Sequence, residues 1–557
     1  MVLDALLDWI GTIRRVELVR SIVLLVLAQA LPVTQAALLA QAARPAESVL
    51  RRIDPDWITP HVRFLASDLL EGRETATRGA RLAAEYVAAE LESLGLEPLG
   101  TQGTFLQRIP LRHSLVDGVP SLRVVGGAEP RELVYGTDFL LQPDIRQAEV
   151  TIQAPLVFVG FGLTLPAHGH DDYAGIDAKG KLAVLLPGGP QGIPSDERGH
   201  ATLLRAKEAN ALAHGAVGIV TLWPLPAETL RDRFMRQLSG FSWLSEDGTP
   251  QTLYFEQGAT VRLSATGAAT LFTAAGASFP EVLAQLQLGK SRSFDLPVEL
   301  KLSARFTQVD TAGANVVGLL RGSDPALRDE YVVYTAHLDH VGMGRPVNGD
   351  SVHHGALDNA GGTATLLAMA RAFASLPAPP RRSVLFVAVT AEEKGILGSH
   401  YFVNNPPAPA GQIVANVNMD NYLMLHPVRD LAAYGASYST LDGVVRRALG
   451  QLGVAVSADA APEQTIFTRS DHYPFMLKGI PAVMLFNGQA SGGNGRDGST
   501  VVRQWLATVH HTPRDRIDQG IDWEAGVTYA RANFLIGYEV ANERERPRWK
   551  GKYFFMP

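Results

Sequence analysis

The stretch YVVYTAHLDH, residues 331–340, sets the fold class. Tyr331–Ala336 is a short run of aromatic, β-branched and small residues, the composition of a strand buried on both faces. It ends abruptly in His337-Leu338-Asp339-His340, where polar, metal-type side chains replace the apolar ones. Working outward, the same pattern recurs. Val384–Thr390 runs into Ala391-Glu392-Glu393, Ile413–Met419 runs into Asp420, and Ala482–Phe486 is a fourth strand-like run. Helix-like stretches at Gly361–Ala374, Leu441–Leu452 and Trp523–Ala541 alternate with them. Alternating strands and helices predict an α/β fold, a mixed and mostly parallel sheet sandwiched by helices. In such sheets ligands collect at the carboxyl ends of the strands, where these polar residues fall.

The chain has 557 residues, no cysteine and a net charge of −6. Without cysteine there are no disulfides, thiolate zinc sites, thiol nucleophiles or iron–sulfur ligands, so any metal is held by histidine and carboxylate. The slightly acidic balance gives no electrostatic reason to expect a nucleic-acid partner. The loop Gly355-Ala356-Leu357-Asp358-Asn359 opens a helix, and His510-His511-Thr512-Pro513-Arg514-Asp515 lies near the C-terminus. Taken singly, each of these is an ordinary loop histidine, solvated Glu-Glu pair or helix-capping Asp. Three of them following three separate strands is the pattern of a metal site.

The ligand arithmetic suits two Zn²⁺ ions. A bridging carboxylate with two terminal ligands per ion needs five groups. Asp358 bridges, and His337, Glu393, Asp420 and His511 are terminal. Glu392 is then free to move protons. Asp339, two residues past His337, is within reach of the imidazole nitrogen turned away from the metal and is expected to orient that ring.

Elsewhere the chain changes texture. Arg14, Arg15 and Arg20 precede the apolar run Ile22–Ala28 and the small-residue triplet Ala40-Gln41-Ala42, so residues 1–42 read as an export signal or anchor-like segment. The apolar run is too short to span a membrane. No second long apolar segment follows, and no stable membrane span is expected in the mature form. Leu82, Tyr86, Val87, Leu91 and Leu94 predict an amphipathic helix stopped by Gly95 within an N-terminal portion, residues 53–147. Residues 148–285 read as a β-rich insert with strands near Ala154–Phe161, Lys181–Leu186 and Ala216–Leu222 and a helix at Leu203–His214. The main domain is expected over 304–557.

The segments HLDHVG, GALDNAGG, AEEKGILGS, NMD and HTPRD occur here in order. Together with FLASDLLEGR (Phe64–Arg73) they resemble the secreted dizinc aminopeptidases related to glutamate carboxypeptidase. DDYAGIDAKGKLAVLL (Asp171–Leu186) and the 207–218 stretch are similar to the protease-associated domain carried by longer members. The resemblance implies a zinc-exopeptidase fold with an inserted protease-associated domain, a peptide substrate with a free N-terminus, and a secreted or periplasmic location. It implies that His337 and Asp420 bind one zinc, that Glu393 and His511 bind the other, and that Glu392 is the general acid/base. His511 is preferred over His510 because it directly precedes Thr512-Pro513. Leu357 and Gly361 depart from the family pattern, which often has an acidic residue and a serine there. Carboxypeptidase or glutaminyl-cyclase-like amide chemistry and a non-catalytic receptor-like role are the alternatives on the same fold. Ser470-Asp471-His472 is not read as a serine-protease triad, because three consecutive side chains do not converge on one line; a place beside the substrate pocket is expected instead. His353 and His354 are expected at the surface.

Overall fold

The computed structural model describes residues 46–127, 130–234, 239–251, 260–287, 292–407, 412–420, 422–490 and 497–555. The expected export segment lies outside them. The expected α/β architecture is present. One sheet of 16 strands runs through the molecule, with helices packed on it.

One half of it has the order Asp430–Tyr434, Ala482–Asn487, Ile413–Asn418, Tyr331–His337, Ser383–Val389 and Phe294–Leu320. Tyr331–His337 is parallel to both neighbours, pairing Ala336 with Ala388 and Thr335 with Asn418. Every residue of Ser383–Val389 and Ile413–Asn418 is buried, as a parallel strand covered on both faces requires. The helices Gly361–Ala374 and Trp523–Asn542 pack on this sheet, and a large apolar core runs from Ala46 to Phe555.

The 27-residue strand Phe294–Leu320 belongs to both halves of the sheet. It pairs antiparallel with Leu106–Val125 along most of its length, with Glu149–Phe158 at its start and with Ser383–Val389 at its end. Beyond it, Glu149–Phe158, Leu182–Leu185, Gly218–Leu222 and Thr260–Leu263 form a parallel run. This half has its own apolar core, drawn from Leu122 to Phe306 and including Phe139, Phe158 and Phe272.

Two details differ from the sequence reading. The helix Arg78–Ser93 buries Ala80, Ala83, Ala84, Val87, Ala88 and Leu91, whereas Leu82 is 37% exposed. The alanines let the helix approach the strand Phe294–Leu320 and the helix Gly361–Ala374 closely. His353 and His354 are buried rather than at the surface. The His353 ring faces the Gly342 carbonyl, and His354 faces the Ala66 carbonyl and the Asp350 carboxylate.

Candidate metal centre

The strands Tyr331–His337, Ser383–Val389 and Ile413–Asn418 end on one side of the sheet, and their next residues meet there. His337 Nε2 lies 3.0 Å from Asp420 Oδ1 and 3.4 Å from Asp358 Oδ1. Glu393 Oε2 lies 3.0 Å from His511 Nε2, and His511 Nε2 lies 3.1 Å from Asp358 Oδ2. Two ligand groups result, His337–Asp358–Asp420 and His340–Asp358–Glu393–His511. Asp358 is in both. Its Oδ1 faces the first group and its Oδ2 the second, the disposition a bridging carboxylate needs.

All five expected ligands are therefore brought together, with two additions. His340 is fully buried and sets Nδ1 2.8 Å from Glu393 Oε1 and 3.8 Å from Asp358 Oδ2. Its position three residues after His337 was the available signal. His510 stacks on His511 and brings Nε2 to 3.3 Å from Asp358 Oδ2. His511 alone of this pair also reaches Glu393, and so fits the ligand position better than His510.

Backbone geometry aims these side chains. His511 has φ +56° and Ala391, just before Glu392, has φ +57°, a left-handed region that non-glycine residues enter at a cost of about 1–3 kcal/mol. Gly355 sits at φ +59°, where a Cβ would lie 2.2 Å from the Asp358 carbonyl and 2.7 Å from the His340 ring. At Gly362 a Cβ would lie 2.1 Å from Asn359 Oδ1. Gly355 and Gly362 of the GALDNAGG segment are thus required by close approach. Asn359 donates to the His337 and Met419 carbonyls, tying the loop to two ligand-bearing strands. Leu357 packs in the apolar core.

Two buried charges hold the loops in place. Arg73 donates to the carbonyls of Leu338, Leu65, His354 and Gly355, so it clamps the loops that carry His337 and Asp358. Burial lowers it to about 10 against the pull of Asp515 and Asp358. Asp515 accepts from the Leu357 and Asp358 amides and from Gln519 Nε2.

Asp339 acts differently from expectation. His337 Nδ1 donates to the Asp339 backbone carbonyl at 3.1 Å, while the carboxylate stands 4.0 Å away. Carbonyl acceptance fixes the ring orientation equally well and turns Nε2 toward Asp420 and Asp358, the nitrogen that would meet a metal there. The carboxylate instead accepts from Thr75 Oγ1 at 2.9 Å and from the Glu392 amide at 3.2 Å. Burial pushes it up to about 6. It positions the Glu392 backbone.

The donor set fits cations. Asp358 Oδ2, Glu393 Oε1 and both His340 ring nitrogens are buried without a geometrically sound hydrogen bond. Buried polar atoms are almost always paired, and clustered exceptions on metal-type side chains point to an ion. Burial would raise Asp358 and Glu393, but the surrounding imidazoles hold both well below the usual carboxylate range. Half-buried Glu392 goes the other way, pushed well up by burial, with Asp420, Glu393 and Asp471 adding to the shift and His337 opposing it. Ser470, Asp471 and His472 form no triad: Ser470 accepts from Asn418 Nδ2 and Asp471 accepts from Ser399 Oγ.

A cage of imidazoles and carboxylates at the carboxyl edge of a parallel sheet defines a metal-site protein of the α/β class. Residues 315–535 match Peptidase family M28, which agrees with the resemblance drawn from the motifs. The leupeptin-inactivating enzyme 1 of Streptomyces exfoliatus is 30% identical over 184 residues, 33% of this chain and 38% of that protein. The probable leucine aminopeptidase 2 of Aspergillus oryzae is 29% identical over 212 residues, 37% of this chain and 38% of that protein. The chain thus spans well under half the length of these curated relatives. The aminopeptidase from Aneurinibacillus sp. strain AM-1 shares the fold, with a TM-score of 0.53 at 18% identity over 90% of this chain and 97% of that one. No helix among the described residues is long and apolar enough to cross a membrane.

Proposed function

We propose that this protein is a two-zinc aminopeptidase that removes residues from the free N-terminus of peptides outside the cytoplasm. The observation that carries the reading is Asp358, whose two oxygens face two separate ligand groups with Glu392 beside them. His337 and Asp420 would hold one ion, Glu393 and His511 the other, and Asp358 both, with His340 backing Glu393. When bound, the zinc ions supply Lewis-acid polarisation of the peptide carbonyl and make water easier to deprotonate.

The chain's own residues do the rest. Glu392 accepts a proton from the attacking water on its carboxylate and returns it to the leaving amine, a task suited to a carboxyl held above its ordinary range. Asp339 holds the Glu392 amide, so the carboxyl starts from a fixed backbone. His337, with Nδ1 committed to the Asp339 carbonyl, keeps one orientation throughout. Residues 148–285 are read as a protease-associated module, supported by the Asp171–Leu186 segment. Location outside the cytoplasm is supported by the arginines, apolar run and small-residue triplet within residues 1–42.

The test is Glu392→Gln. Its zinc content, by plasma emission spectroscopy, is expected to stay at two per chain while turnover falls about 10²–10⁴-fold. Near-normal turnover would remove Glu392 as the proton carrier, and a single zinc would remove the bridging assignment. A panel of free-amine, blocked-amine and C-terminal substrates separates aminopeptidase action from carboxypeptidase or cyclase chemistry.

A further inference from the structure

A cavity of about 540 Å³, lined by none of the candidate metal ligands, opens between the 163–210 region on one side and Tyr473, Leu477 and Phe554 on the other. The helices Ser195–Thr202 and Leu204–Ala213 form one wall, and the helix His472–Leu477 forms the other. Leu163, Leu165, Leu203, Leu477 and Phe554 make it largely apolar.

Arg205 is the cation of this cavity. Arg205 is half-buried, and the contacts of its guanidinium are with the neutral side chains His400 and Tyr473. One N–H donates to His400 Nε2 at 2.7 Å, and the guanidinium lies 5.4 Å from the centre of the Tyr473 ring. Burial, together with Arg205 itself, pushes His400 down to about 3, so this acceptor is a neutral imidazole and leaves the charge uncompensated. His400 and the Tyr473 hydroxyl are the neutral hydrogen-bond partners of Arg205, donors of the five remain for a ligand, and a flat fork of N–H groups matches a carboxylate. The one acid on the wall, Glu197, is held by His168 Nε2 at 2.6 Å. No lysine and no second arginine lines the cavity, so a phosphate dianion would meet one cation and one carboxylate.

We infer that this cavity binds a small monocarboxylate bearing an apolar group, with Arg205 gripping the carboxylate and the leucine-lined wall taking the rest. A pocket of this volume suits a ligand the size of an acylated amino acid or a medium-chain acid. None of the lining residues is a candidate metal ligand, so the inference stands whether or not the peptidase reading does.

The experiment is calorimetric titration of the full-length protein, zinc-loaded and chelated, with sodium octanoate, N-acetyl-leucine, leucine and octanol. Octanoate or N-acetyl-leucine is expected to bind with Kd below about 1 mM in both metal states, and octanol at least about tenfold more weakly. In Arg205→Met, which keeps the length of the side chain, carboxylate affinity is expected to fall about tenfold or more. Its hydrolysis of a short aminoacyl substrate stays at the parent rate. Tighter binding of octanoate than of N-acetyl-leucine marks an acyl-chain ligand, and the reverse marks a peptide or amino-acid end; either supports the site. Binding lost on chelation would place the ligand at the metals and overturn the inference. Equal affinity for octanol, an unchanged Arg205→Met, or no binding of either carboxylate would overturn it too.

Discussion

Asp515 offers a quantitative test of how Asp358, the carboxylate shared by the two candidate ligand groups, is held. It is fully buried, and Oδ2 accepts from the Asp358 amide at 2.9 Å while Oδ1 accepts from the Leu357 amide at 3.0 Å and from Gln519 Nε2 at 2.6 Å. Asp515→Asn keeps the shape but replaces one oxygen by NH₂. Either rotamer then sets a donor against a donor, at the Asp358 amide or at the Leu357 amide and Gln519. Flipping Gln519 relieves one clash only by releasing Trp505 Nε1, which donates to Gln519 Oε1 at 3.2 Å. At least one charge-assisted bond is lost, worth about 1.5–3 kcal/mol. If that loss falls on the geometry of Asp358, zinc affinity drops about 10–100-fold, the range seen when an outer support of a metal ligand is removed. Competitive titration against a fluorescent zinc chelator measures this, with near-ultraviolet circular dichroism confirming the fold. Folded Asp515→Asn that holds zinc within about twofold of the parent would refute the clamp.

Three further outcomes are expected. Burial raises Glu208 from 4.5 to about 7 against the Thr260 hydroxyl and Arg262. Between those values the folded state binds more protons than the unfolded one, so stability falls as pH rises from about 4.5 to about 7, by about 3 kcal/mol in all. Glu208→Gln should therefore melt higher than the parent above pH 7, with the gap closing toward pH 4.5; parallel thermal profiles would count against it. Lys207 Nζ donates to the carbonyls of Phe161, Leu186 and Gly188 at 2.7–2.8 Å, and only the ammonium form has three N–H groups. Lys207→Met strands those acceptors at a cost of about 3 kcal/mol, read as faster limited proteolysis within residues 148–285, and unchanged proteolysis would contradict it. Gly355→Ala forces a Cβ against the Asp358 carbonyl, so zinc content should fall with a loss of about 1–3 kcal/mol or more; a fully zinc-loaded variant of parental stability would contradict it.

Much of the peptidase half was legible in the sequence because its strands are buried on both faces. Tyr331–His337 and Ile413–Asn418 are continuous apolar or small-residue runs, and each ends within a residue of its expected limit. The residues that converge at the candidate site were legible for the same reason, since chemistry-bearing residues follow such strands directly. What escaped depends on contacts between distant segments. The 27-residue strand Phe294–Leu320 is continuous because it pairs in turn with Leu106–Val125, Glu149–Phe158 and Ser383–Val389, and no local pattern encodes that. Leu82 looked like part of a buried stripe, yet the small residues Ala83, Ala84 and Ala88 make the packing face. His353 and His354 looked solvated, but Arg73, 281 residues before His354 in the case of its carbonyl contact, draws that loop inward.

The same long-range logic explains the balance of charge around the centre. Asp339, Asp358, Glu392, Glu393, Asp420 and Asp515 crowd one region, while Arg73 is the fully buried guanidinium set among them. A carboxylate cluster of this density is costly to bury unless cations or protons offset it. The imidazoles do so in part, which is why His511 is carried up to about 9 by Glu393 and Asp358 despite its burial. A zinc ligand must be a neutral imidazole, so metal loading has to displace that proton from His511. The protein has therefore placed Arg73, which has no proton to give up at neutral pH, on the loop carbonyls rather than on the ligand oxygens. From there it offsets charge through space and leaves every oxygen of Asp358 and Glu393 to the imidazole side of the site, where cations would compete only with protons.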